Sequence, residues 1–133
     1  MTRTNAVRVL TIATGLLLAV PALAQDAAQL AKVPPSVRAG IQTTAMTERL
    51  HLTPEERTQV EAINLKFANQ MQPVLEGSGG PFARMREAKK LEEAKDNELK
   101  PVLSADQFKG YLAMKDELKE RLKQRALEGA AKP

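Results

Sequence analysis

Two short segments of the 133-residue chain, 51 positions apart, carry the same pattern, which indicates the start of a helix. The first is Leu52-Thr53-Pro54-Glu55-Glu56 and the second is Leu103-Ser104-Ala105-Asp106-Gln107. In each segment a hydroxyl residue precedes Glu or Gln by three positions, which is the capping-box pattern that satisfies free N–H groups at a helix N-terminus. An apolar side chain just before the cap fixes the angle at which the chain enters the helix. The two segments therefore predict two helices with capped N-termini.

Breakers and apolar spacing divide the remaining chain into further helices. One helix is predicted from Ser36 to about Leu50, one from Phe82 to about Leu99, and the second capped helix ends near Leu127 to Gly129. Pro73 is expected to kink or end the first capped helix just before it. Gly77 to Pro81 form either a hairpin loop or a hinge. The apolar positions of the first capped helix follow helical spacing, and they are Val60, Ile63, Phe67, Met71 and Val74. The prediction is an all-α fold of four helices in an elongated hairpin arrangement.

The N-terminus has the three parts of a secretory signal peptide. Arg3 and Arg8 precede an apolar run at 9–20, and Ala22 and Ala24 supply the small residues that a signal peptidase reads. We expect export to the periplasm with cleavage after Ala24. The alternative, an uncleaved membrane anchor, is disfavoured because the uncharged stretch is short and ends near a proline. The predicted organisation is a signal peptide at 1–24, a flexible arm at 25–35, a helical domain at 36–128 and a flexible tail at 129–133.

The amino-acid composition excludes most classes of catalytic and metal-binding site. The chain has no cysteine, one histidine and no tryptophan, so thiolate metal sites, disulfides and histidine-based triads are not available. Cleavage removes two of the 20 basic residues and leaves 18 against 16 acidic ones, which disfavours nucleic acid as a partner. His51 and Glu55 are four residues apart, but one histidine without cysteine partners makes a metal site improbable. We therefore predict neither an enzyme nor a bound cofactor or metal.

The paired motifs resemble those of the Spy/CpxP-like periplasmic proteins, which carry a repeated LTxxQ motif. Leu52 and Thr53 match the motif, whereas Glu56 replaces its glutamine; Leu103 and Gln107 match it, whereas Ser104 replaces its threonine. Each replacement keeps a hydroxyl cap and a capping partner three residues later. The resemblance extends over about 38–127.

The resemblance implies an antiparallel homodimer shaped as a thin curved cradle, with ATP-independent chaperone activity. Its partners are then unfolded or misfolded periplasmic proteins. Some members of the family instead bind an envelope-stress sensor or respond to metals, so an adaptor that binds a sensor protein is the alternative function. No stable membrane anchor is expected.

The candidate client-binding residues are methionines and aromatic residues, which suit varied apolar partners, and basic side chains of the last helix. Helical spacing favours core packing for Met71 and Met85. Most of the four aromatic residues are also expected between helices, and they are Phe67, Phe82, Phe108 and Tyr111. The basic residues alternate with acids, which favours a solvated surface. The candidates are Met46, Phe67, Met71, Met85, Phe108, Lys115, Lys119 and Arg121.

Overall fold

The computed structural model describes residues 27–77 and 79–131, which form helices and no strands. A short helical segment at 27–32 precedes four helices. They are α1 (Pro35–Leu50), α2 (Pro54–Glu76), α3 (Pro81–Leu99) and α4 (Ala105–Ala131). The predicted all-α fold class is confirmed. The predicted signal peptide and its cleavage site lie outside the described residues.

Each helix runs antiparallel to the next one along the chain. Thr43 of α1 contacts Asn64 of α2, and Arg38, one turn and a half earlier, contacts Ala68. Lys66 of α2 pairs with Glu98 near the end of α3. Helices α2 and α3 are therefore antiparallel neighbours, as the hairpin-loop alternative requires. Pairing of antiparallel helices is the natural result of short loops, because the chain has no length in which to cross the bundle.

The core lies at one end of the molecule, where α1 and α3 end and α2 and α4 begin. We call this region the motif end, because both helix-start segments belong to it. Gly110 of α4 permits a close approach to α1, since an added Cβ would lie 2.7 Å from Cδ2 of Leu50. The buried cluster consists of Met46, Leu50, Val60, Leu99, Leu103 and Tyr111.

Two helix ends differ from the predictions. Helix α2 continues through Pro73 to Glu76. A proline removes only one intrahelical hydrogen bond, and α2 has just three residues left at that point. Helix α4 runs to Ala131, two residues beyond the predicted end at Leu127 to Gly129, because the two alanines after the glycine are strong helix formers.

The segment expected to be a flexible arm, 25–35, is partly helical. Arg38 donates hydrogen bonds to the carbonyl of Leu30 at 2.9 Å and to Oε1 of Gln72 at 2.7 Å. The side-chain amide of Gln72 in turn donates to the carbonyl of Ala31 at 2.9 Å. These bonds hold residues 27–32 against α2, and neither side chain carried a local sequence signal for such a contact.

Candidate functional site

Both helix-start segments form complete capping boxes. The backbone N–H of Glu56 donates to Oγ1 of Thr53 at 3.2 Å, and the N–H of Thr53 donates to Oε2 of Glu56 at 2.9 Å. Ser104 and Gln107 form the equivalent pair of bonds at 2.9 and 3.1 Å. Leu103 is buried in the core and Leu52 packs against it. The six predicted motif residues thus start α2 and α4 and close the core beneath them.

The two boxes also bond to each other. The side-chain amide of Gln107 donates to Oε2 of Glu56 at 2.9 Å and lies 3.4 Å from the carbonyl oxygen of Leu50. The Thr53 N–H, followed by the Gln107 amide, holds the pKa of the Glu56 carboxyl below its usual range. Three helices are therefore fastened at one point by polar contacts at the edge of the core.

A second polar cluster joins α3 to α4. Asp96 accepts hydrogen bonds from the hydroxyl of Tyr111 at 2.8 Å and from Nζ of Lys115 at 2.7 and 2.9 Å. Burial, and then the bond to Asp96, raises the pKa of Tyr111 above its usual range. Lys95, which bonds to Gln42 of α1 at 2.8 Å, has its pKa lowered to about 8 by burial and then by the nearby charge of Lys115.

The opposite end of α3 exposes large apolar side chains. Phe82 is 81% exposed and Met85 is 62% exposed. Both lie within the first five residues of α3, next to the loop. Arg86 and Lys89 complete a set spaced i, i+3, i+4 and i+7, so the four residues share one helix face. We call this face, formed by Phe82, Met85, Arg86 and Lys89, the tip surface.

The charges of α3 are arranged against the helix dipole. Its first ten residues contain four basic side chains and one acidic one, and its last nine contain one basic and four acidic. A helix N-terminus is the positive end of the dipole, so basic residues there are unfavourable. The first turn also lacks an acidic residue and a side-chain cap. The acidic residues of the second half are engaged in ion pairs: Glu98 binds Lys66, and Glu92 and Asp96 both lie within 4.0 Å of Lys115.

A shallow groove of about 630 Å³ lies between α2 and α3 beside the tip surface. Arg84 and Glu87 supply its charges on the α3 side. Among the described residues, Arg84 has no ion-pair partner within 4.0 Å. The apolar wall of the groove is formed by Pro73, Val74, Ala83 and Leu91.

The structure places some of the predicted client-binding residues in the core and others at the surface. Met46 and Phe67 are buried, 3% and 5% exposed, so they belong to the core and not to an accessible surface. Lys115 is engaged by Asp96, and Phe108 packs against the core cluster. Met71 is partly buried, and Met85 is exposed although helical spacing favoured core packing for it. The side chains of Lys119 and Arg121 lie outside the described part.

Phe82 and Arg86 were not among the predicted site residues. Phe82 is one of the four aromatic residues of which most were expected between helices. The described contacts between α3 and α4 lie instead at Glu92 and Asp96, toward the motif end. Helical spacing gives no signal of this exposure, because it does not say whether another helix covers the face.

Within the described ranges, no group of three or more His, Asp or Glu side chains is placed to hold a metal ion. The helices of these ranges also include none that is both long enough and apolar enough to cross a membrane.

The fold and its exposed tip surface define a small all-α protein. Its core lies at one end, where polar contacts between the two capping boxes join three helices. A family model described as "Domain of unknown function (DUF4890)" matches residues 24–111, and the chain belongs to that family. No curated protein and no solved structure gives a significant match. The family description assigns no activity.

Proposed function

We propose that this protein is an ATP-independent chaperone of the holdase type, which binds unfolded or partly folded proteins of the periplasm. The observation that carries the proposal is the tip surface, where Phe82 and Met85 present large apolar side chains to solvent. Large apolar groups exposed together on a small protein mark a surface for protein contact.

The chemistry of the tip surface suits weak and varied partners. A methionine side chain is flexible and polarisable, so it adapts to apolar groups of different shape. Arg86 and Lys89 place positive charge beside it, which accelerates encounter with acidic segments of a client.

Export and dimerisation belong to the same proposal. The signal peptide pattern at 1–24 supports a periplasmic location, and the resemblance to Spy/CpxP-like proteins supports an antiparallel homodimer. Intact-mass measurement on protein from the periplasmic fraction should show an N-terminus at Gln25. Light scattering should give twice the mass of that chain.

The activity test uses the processed protein without nucleotide and several unrelated clients diluted from denaturant. We expect suppression of light scattering at near-stoichiometric ratios. The double variant Phe82→Ser/Met85→Ser should lose most of this suppression at unchanged stability, because both side chains are exposed. Leu112→Ser is the matched control, since Leu112 is 39% exposed on α4 next to Tyr111 at the motif end, and it should retain suppression.

Failure of the unmodified protein with every client would contradict the proposal. A saturable complex with one sensor protein, in the absence of general suppression, would support the adaptor function instead.

A further inference from the structure

The protein neutralises the two halves of α3 to different extents. In the acidic half, Glu98 binds Lys66 of α2, and Asp96 binds Lys115 of α4. Lys115 also lies 4.0 Å from Glu92. The packing of α3 against α2 and α4 therefore supplies partners, from within the molecule, for three of the four acidic side chains of this half.

The basic half has little comparable compensation. Among the described residues, Arg86 and Lys90 have no ion-pair partner within 4.0 Å. Lys89 lies 3.9 Å from Glu93, but the two side chains are 78% and 64% exposed, and ion pairs between exposed side chains are weak. Glu87, the acidic residue of this half, lines the groove against α2. The tip surface therefore carries positive charge that is available to a partner.

The apolar and basic residues of the tip surface have a fixed spacing. Phe82 precedes Arg86 by four residues and Lys89 by seven. An α-helix rises about 1.5 Å per residue, so the two basic residues lie about 6 Å and about 10 Å from Phe82 along the helix axis. An extended chain advances about 3.3 Å per residue and spans the same distances in two and three residues.

We propose that the tip surface selects extended client segments in which an acidic residue stands two or three positions from a large apolar one. The apolar side chain packs on Phe82 and Met85, and the carboxylate pairs with Arg86 or Lys89. Charge complementarity determines the choice, because a basic segment at the same place is repelled. The inference rests on the proposed function, since it names the class of client segment that the same surface binds.

Nuclear magnetic resonance titration of the isotope-labelled, processed protein measures both the affinity and the place of binding. The probes are three disordered peptides of equal length, each with one phenylalanine in a glycine–serine background. The first carries two glutamates, two and three positions from the phenylalanine. The second carries the same glutamates at its far end, and the third carries lysines in their place.

The first peptide is expected to bind roughly fivefold more tightly than the second, as two exposed ion pairs of ordinary strength require. The peptide with lysines should bind most weakly. Binding should shift the amide resonances of residues 82–89 and leave those of the motif end unchanged.

Reversal of the charge at the tip surface should reverse this preference. In Arg86→Glu/Lys89→Glu, the peptide with lysines should bind more tightly than the peptide with adjacent glutamates. The matched control is Arg57→Glu/Lys109→Glu, which changes the net charge equally at two exposed positions of the motif end and should keep the original order. The dispersion of the amide resonances verifies that both variants are folded.

Equal affinity for the three peptides, or the original order of affinities in Arg86→Glu/Lys89→Glu, would overturn the inference. Neither result bears on aggregation suppression by the unmodified protein, so the proposed function would stand. Conversely, charge-ordered binding at the tip surface of a protein that suppresses no aggregation would support the selection of acidic segments and contradict the chaperone function.

Discussion

The side-chain amide of Gln107 donates a 2.9 Å hydrogen bond to the carboxylate of Glu56, so the partners that complete the two capping boxes also bond to each other. The contact joins positions 51 residues apart. It links the first turn of α2 to the first turn of α4 and explains why one box carries glutamate and the other glutamine. A carboxylate only accepts hydrogen bonds, whereas an amide both accepts from its own cap and donates across.

Gln107→Glu should destabilise the protein at neutral pH, because it places a second carboxylate against Glu56. We expect the free energy of unfolding to fall, because a hydrogen bond is lost and two carboxylates face each other. Urea unfolding measures it. The exchange Glu56→Gln/Gln107→Glu restores one donor and one acceptor across the contact and should recover most of the loss. Additive effects of the two changes would show that the contact contributes nothing.

Stability should fall in acid partly through Glu56. Its pKa in the folded protein lies below the ordinary value of 4.5, because the Thr53 N–H and the Gln107 amide stabilise the carboxylate. The stabilisation is complete above the unfolded pKa and is lost as pH falls through the folded pKa. Urea midpoints between about pH 6 and pH 3 should therefore vary less for Glu56→Gln than for the unmodified protein. Parallel pH profiles would contradict this assignment.

Lys95 should destabilise the folded protein at neutral pH. Burial, and then repulsion from Lys115, lowers its pKa to about 8, so the unfolded chain binds the proton more tightly. Stability should rise with pH above about 8, toward the unfolded pKa of 10.5. Lys95→Met should accordingly be more stable than the unmodified protein at pH 7, with a smaller difference at about pH 9. Lys90→Met, at an exposed position, is the control and should show the same small effect at both pH values.

His51 should be replaceable by glycine with a gain in stability. It is the C-cap of α1 with φ of 53° and ψ of 51°, a left-handed conformation that costs a residue with a Cβ atom. His51→Gly should raise the free energy of unfolding by about 0.5–1 kcal/mol, after the entropy cost of glycine is subtracted. His51→Ala keeps the conformational cost and should show no gain. A loss of stability in the glycine variant would mean that the imidazole makes a stabilising contact.

The capped helix starts could be predicted because their chemistry is local. The side chains of each capping box bond to N–H groups only three residues away, as in Thr53 with Glu56 and Ser104 with Gln107. The residue types at these two positions are therefore sufficient to predict the start of the helix. The loop at 77–81 could also be predicted, from its three glycines and Pro81. The exposure of Phe82 was not, because helical spacing identifies a face but does not say whether another helix covers it.

The sequence alone determined an all-α chain, the positions of its helix starts and a composition without disulfide or thiolate chemistry, because these depend on neighbouring residues and on residue types. Only the tertiary structure decided that Gln107 meets Glu56, that Asp96 binds Lys115, and that Asn64 of α2 bonds to Thr43 of α1. Those facts depend on which helices pack together and at what register. Contacts between residues far apart in sequence follow from the packing of whole helix faces, which no local pattern specifies.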